Sequence, residues 1–232
     1  MVRMAFAEPL KIDVEAAGVV SALWMKPRDG FACFVFAHGA GAGMGHPFME
    51  AVATGLFERK IATLRYHFPY MEQRQGRPDA PARAHATVRA AVSEAARLAG
   101  DLPLIAGGKS FGARMTSQAQ AISPLPAVMG LCFLGFPLHA AGKPSMDRAQ
   151  HLSDVQVPML FLQGNRDGLA DMSMLRQVVT RLGGRASLHI LEHADHSFHV
   201  TKRSGTTVRA VMHQMLGVAS SWMKALATQH LC

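Results

Sequence analysis

No apolar run in the 232-residue sequence approaches the roughly 18 to 20 residues that a membrane-spanning helix needs. The opening stretch MVRMAFAEPLKIDVE meets acidic residues before any apolar core of signal-peptide length. Both absences predict a cytoplasmic protein with no membrane partner. Cysteine is scarce as well: Cys33, Cys132 and Cys232 are an odd set without metal-ligand spacing, which argues against a disulfide framework or a zinc cluster. The first two fall inside apolar runs that read as buried strands, so all three are expected to be reduced core or terminal residues. Charge is sparse too. Only 17% of residues are charged and 49% are hydrophobic, a balance that argues against disorder and for a well-buried globule. The length suits one domain with a sizeable core better than two.

The net charge is +8, enough to draw anions through the field over the surface. It is not clustered, however. The densest basic stretch, Arg65 to Arg89, is interrupted by Glu72 and Asp79 and reads as a solvated basic face, so no nucleic-acid partner is expected.

Apolar or alternating stretches bounded by Gly, Pro or polar clusters predict eight strands: 11–15, 19–24, 31–37, 61–66, 102–106, 128–135, 158–163 and 186–191. Helices are predicted over 47–60, 82–99, 111–122, 171–182 and about 206–227. Strands that first pair locally and then alternate with helices predict a mostly parallel sheet covered on both faces. The stretch 68–81, rich in Pro, Gly and Arg, is expected to form a long loop over one sheet end. The irregular stretch 139–157 is too short for a cap domain.

The segment IAGGKSFGARM (105–115) admits two incompatible readings. As a phosphate loop, G-x-x-x-x-G-K-[ST], it would need a glycine where Pro103 stands, and Pro103 has no N–H to offer a phosphate. As a G-x-S-x-G turn it would present Ser110 at a sharp strand-to-helix bend, with Gly108 and Gly112 supplying the small residues that the bend requires. A predicted strand before it and a predicted helix after it favour the second reading; Lys109 is then only a tolerated residue of the turn.

A serine needs a base, and the base needs an orienting carboxylate. Asp167 follows the strand 158–163 in GNRD, and EHADHSFH follows the strand 186–191, so both partners sit on loops at the same sheet edge as Ser110. Of the three histidines there, His196 is the expected base. His193 lies too near the strand end, and His199 lies where the chain leaves toward the last helix. The remaining requirement is a pair of N–H donors for the oxyanion. Phe111 N–H is one; the other is Ala40 N–H, with Gly41 the alternative, in the small-residue loop HGAGAG (38–43). That loop fails as a dinucleotide fingerprint, because the sixth position is Met44 or His46 depending on frame and the next strand ends near Arg65 with no acidic ribose ligand. His38 is read as a structural hydrogen-bonding residue, and Asp171 as a helix cap.

Together, HGAGAGMGHPFM, RYHFPYME, GGKSFGARMTS, LGFPLHAAGKP, FLQGNRD and LEHADHSF resemble one branch of the α/β-hydrolases. This branch is similar to dienelactone hydrolases, and it includes an animal testis-expressed protein and a subunit of the NSL histone acetyltransferase complex. The resemblance runs from about Phe31 to the last helix. It implies one α/β-hydrolase domain over residues 1–232, with an eight-stranded mostly parallel sheet, helices on both faces and no large cap domain. It further implies an oxyanion loop at His38 to Gly41, nucleophile Ser110, acid Asp167 and base His196. The expected activity is hydrolysis of a small carboxylic ester or thioester, a small-molecule substrate, through an acyl-enzyme and with no metal or organic cofactor. Without a cap the site should suit small soluble acyl groups, including anionic ones given the basic 68–83 segment. Members near the histone-modifying complex imply the alternative, a non-catalytic interaction module on the same scaffold.

Overall fold

Side-chain alternation along β3 (Ala32–Ala37) sets the architecture. All six of its residues are buried: Cys33, Val35 and Ala37 enter one core, while Ala32, Phe34 and Phe36 enter another. A strand that is apolar on both sides has to be covered on both sides. The computed structural model, which describes residues 7–230, shows how this is done. The other strands are β1 (Glu8–Val14), β2 (Gly18–Met25), β4 (Ile61–Tyr66), β5 (Leu104–Lys109), β6 (Val128–Leu134), β7 (Met159–Gly164) and β8 (Ala186–Leu191). They join β3 in one sheet of order β1-β2-β4-β3-β5-β6-β7-β8. β1 pairs antiparallel with β2 and β2 with β4, and the pairings from β4 through β8 are parallel.

Helices α1 (Pro47–Phe57) and α6 (Val208–His230) cover the face onto which Phe34 and Phe36 project. Helices α3 (Pro81–Ala99), α4 (Phe111–Ile122) and α5 (Met172–Leu182) cover the other. This is the predicted eight-stranded, mostly parallel sheet with helices on both faces. Between β6 and β7 the chain forms a 3₁₀ helix (Asp147–Asp154) and no lid. Cys33 and Cys132 are buried and unpaired; Cys232 lies outside the described residues. Among the described residues no helix is long and apolar enough to cross a membrane.

Three sequence expectations need correction. The segment 68–81 is not one long loop: it opens with a short helix, α2 (Pro69–Glu72), anchored by the fully buried Phe68 and Tyr70, and only its second half is irregular. β5 runs to Lys109 and not to Ala106, because Gly107 and Gly108 remain in register with Cys132 and Phe133 of β6; the glycines had read as the end of the strand. Arg65 does not belong to a solvated basic face. It is buried and its guanidinium donates to the Met44 carbonyl at 3.0 Å, which fastens the far end of the loop after β3 to the sheet.

Candidate active site

The parallel strands bring their carboxyl ends to one edge, so the loops after β3, β5, β7 and β8 converge there. Ser110 stands at the joint between β5 and α4 with φ 50° and ψ −110°. That left-handed backbone costs a non-glycine residue about 1–3 kcal/mol. The bend presses the turn against β3. A Cβ on Gly112 would lie 2.6 Å from the Ala37 carbonyl oxygen, and one on Gly108 would lie closer still, so both positions have to be glycine.

Ser110, Asp167 and His196, separate in the sequence, form one hydrogen-bonded chain. His196 Nδ1 lies 2.7 Å from Asp167 Oδ2, and His196 Nε2 lies 2.8 Å from Ser110 Oγ. An ionised carboxylate only accepts, so Nδ1 carries the imidazole proton and Nε2 is left to accept from the serine hydroxyl. The Asp167 side chain is fully buried. It also accepts from Leu169 N–H at 2.7 Å and from the Gln163 amide at 2.5 Å. Gln163 in turn accepts from Phe136 N–H at 2.9 Å. A buried amide with both ends engaged thus holds the carboxylate, a role that sequence reading missed; its signal was a lone glutamine ending the apolar run of β7.

The other two loop histidines point elsewhere. His193 is exposed, and its N–H donates to Asn165 Oδ1 at 2.7 Å. His199 is also exposed; its N–H donates to Asp195 Oδ1 at 2.9 Å, as does that of Ser197 at 2.8 Å, closing the turn behind His196. Asp171 caps α5, accepting from Met174 N–H at 2.9 Å.

The loop after β3 is tied down by His38. Phe68 N–H donates to His38 Nε2 at 3.1 Å, so Nδ1 bears the proton and donates to the Gly39 carbonyl at 2.8 Å. Phe111 N–H, at the first position of α4, and Ala40 N–H find no acceptor among the described residues and are available to a bound oxygen. Burial pushes the His38 pKa from 6.5 down to about 4, against the upward pull of the Gly39 carbonyl. An unfolded chain therefore takes up this proton first as the pH falls. The stabilisation from neutral His38 is complete above pH 6.5 and disappears between there and about pH 4, a difference of roughly 3 kcal/mol. His151, also pushed down to about 4 by burial and by nearby Arg114, acts in the same window. Urea unfolding is thus expected to show a steep loss of stability between pH 6.5 and 4 that is shallower in His38→Gln. Parallel curves for the two proteins would contradict this.

Lys109 is more than a tolerated turn residue. The period-two alternation from Ile105 carries its side chain to the α1/α6 side, where Nζ donates to the His196 carbonyl at 2.6 Å and lies 5.2 Å from the Phe198 ring centre. Burial lowers its pKa to about 8 in spite of the Asp167 and Asp195 carboxylates. Beside the serine, on this same side, opens a cavity of about 530 Å³ with Ala40, Phe48, Phe198, Val208 and Met212 on its wall. Among the described residues no group of three or more His, Cys, Asp or Glu side chains gathers as a metal site.

Comparison with known proteins matches residues 30–224 to the sequence profile of a family described as "Alpha/beta hydrolase domain". Among solved structures, a dienelactone hydrolase from Anabaena variabilis is 20% identical, with 96% of this chain and 99% of that one covered at a TM-score of 0.76. A Xanthomonas campestris protein, described as an α/β serine hydrolase without a lid, is 20% identical over 94% and 95% of the two chains at 0.72. Est1E from Butyrivibrio proteoclasticus is 14% identical over 94% and 99% at 0.71. At these identities the likeness is one of fold.

Proposed function

The chain belongs to the alpha/beta hydrolase family, and from that premise we propose that it is a serine hydrolase of small carboxylic esters or thioesters. The observation that carries this reading is the continuous Ser110–His196–Asp167 chain of hydrogen bonds, at 2.8 and 2.7 Å, opening on a cavity. Ser110 Oγ attacks the acyl carbonyl while His196 Nε2 takes its proton, and Asp167 steadies the imidazolium. The Phe111 and Ala40 N–H groups receive the negative oxygen of the tetrahedral intermediate. As the intermediate collapses, His196 returns the proton to the departing alcohol or thiol. Water, deprotonated by the same His196, then attacks the acyl-serine and releases the acid.

Within the family the chain is assigned, on GGKSFGARMTS and LEHADHSF, to the dienelactone hydrolase-like branch that includes the testis-expressed protein and the NSL subunit. The family match over residues 30–224 supports reading 1–232 as one domain, and the small, odd number of cysteines suits a reducing, cytoplasmic setting.

The cavity also supports a choice of substrate. Its wall is largely apolar, whereas Arg74 and Arg77 of the basic segment after α2 are exposed and do not line it. Lys109, the cationic side chain on the wall, is already engaged by the His196 carbonyl. Short uncharged acyl groups are therefore preferred, and the anionic preference expected from the sequence is abandoned. With p-nitrophenyl esters, butyrate is expected to exceed hemisuccinate in kcat/KM by about tenfold, since burying an unpaired carboxylate is costly. Palmitate is expected to be a poor substrate, because with no lid over the site a long extended chain would leave much of its apolar surface in water. Preference for palmitate or hemisuccinate would refute this assignment.

A further inference from the structure

Resting on the serine-hydrolase reading, we infer that Lys109 is a positioning residue that clamps the His196 loop to the nucleophile strand and so fixes the distance between base and nucleophile. The ties that hold the β8–α6 loop run mostly to itself or to β7. Arg166 N–H donates to the Ala194 carbonyl at 2.9 Å, His193 N–H to Asn165 at 2.7 Å, and Asp195 closes its own turn through Ser197 and His199. These bonds, with Phe198 stacked on Phe48 of α1, hold the loop to the β7–α5 connection and to α1, but none of them reaches β5. Among the described residues, Lys109 supplies the hydrogen bond that links this loop to β5 other than the reacting pair itself. It reaches the carbonyl of His196, not that of a neighbour, from the residue directly before Ser110.

The surroundings are built for an ammonium at that point. Gly135, at φ 68°, lies beneath it, where a Cβ would come within 3.0 Å of Lys109 Nζ and 3.6 Å of His196 Nδ1. A side chain at 135 would crowd the ammonium and touch His196. The Phe198 ring covers the ammonium from the loop side at 5.2 Å. The Asp167 carboxylate after β7 and the Asp195 carboxylate after β8 provide the opposing charge. A neutral side chain of equal length would fill the volume but would not hold the carbonyl.

The test follows the rate at which a fluorophosphonate labels Ser110, together with kcat and KM for a p-nitrophenyl ester, in wild type, Lys109→Met and Lys109→Ala. Circular dichroism and thermal melting establish which variants fold. Misplacing the base by about 1 Å costs on the order of 10²-fold in rate, so folded Lys109→Met is expected to label and turn over 10- to 100-fold more slowly, at a KM close to that of wild type. In Lys109→Ala the missing atoms have the shape of propylammonium and open onto the cavity. Added propylammonium is therefore expected to restore labelling of this variant while leaving wild type unchanged. The label has no turnover step that the amine could accelerate as an acyl acceptor. A folded Lys109→Met that labels within twofold of wild type would overturn the clamp, and so would a folded Lys109→Ala that propylammonium fails to rescue. If neither variant folds, Lys109 is a structural residue and the inference falls. An unlabelled wild type would instead overturn the serine-hydrolase reading itself, and the clamp with it.

Discussion

Ser110→Ala is expected to abolish ester hydrolysis while leaving the fold intact. The substitution removes one oxygen at a partly exposed turn, and that oxygen does not cap α4, so no helical hydrogen bond depends on it. The left-handed backbone at φ 50° is equally strained with alanine, which gives the variant no reason to relax the bend. In the proposed mechanism, what is lost is the nucleophile alone. In a mechanism where nucleophile and base act as a unit, the cost is on the order of 10⁶-fold in kcat. The check is turnover of p-nitrophenyl butyrate alongside circular dichroism and a thermal melt. Residual activity within tenfold of wild type, in protein with an unchanged melt, would remove Ser110 from the mechanism.

The second large effect concerns the three histidines of the β8–α6 loop. Replacing His196 by alanine is expected to lower kcat by 10³-fold or more, since the base and its orienting carboxylate are lost to the serine together. His193→Ala and His199→Ala are expected to stay near wild type. Both side chains are exposed, and the bonds their positions make to Asn165 and Asp195 come from backbone N–H groups that alanine retains. His199 also lines the cavity, so a change confined to KM fits the account. A loss in either variant as large as that of His196→Ala, in folded protein, would make the base assignment wrong.

Much of this arrangement was legible because local pattern and global fold agree. The strands 61–66 and 186–191 and the helix 111–122 run as read from the sequence. In each case an apolar period of 2 or 3.6 is bounded by residues that stop it. The turn around Ser110 was legible for a related reason: two glycines at fixed offsets between a strand and a helix answer a local steric demand, which the close approach to Ala37 explains. The misreadings have the opposite character. Gly107 and Gly108 looked like the end of β5, because the neighbour that requires them small comes from another strand. Phe68 and Tyr70 looked like loop residues because the aromatic contacts that bury them, with His38 and Phe111, come from distant segments. Arg65 and Lys109 are polar side chains whose purpose is a hydrogen bond to a remote backbone carbonyl, and Gln163 joins Asp167 to the distant Phe136 N–H. Nothing within a few residues of Arg65 or Lys109 announces the partner, and nothing near Gln163 announces Phe136.

The measurement that bears most directly on the central claim is the intact mass of the purified protein after exposure to a fluorophosphonate, with the adduct located by peptide mapping. The serine-hydrolase account predicts one adduct per chain, on Ser110, absent from Ser110→Ala and formed at a rate that collapses in His196→Ala. A well-folded wild-type protein that takes up no label, or takes it up elsewhere, would contradict the account and leave an α/β-hydrolase scaffold used for binding.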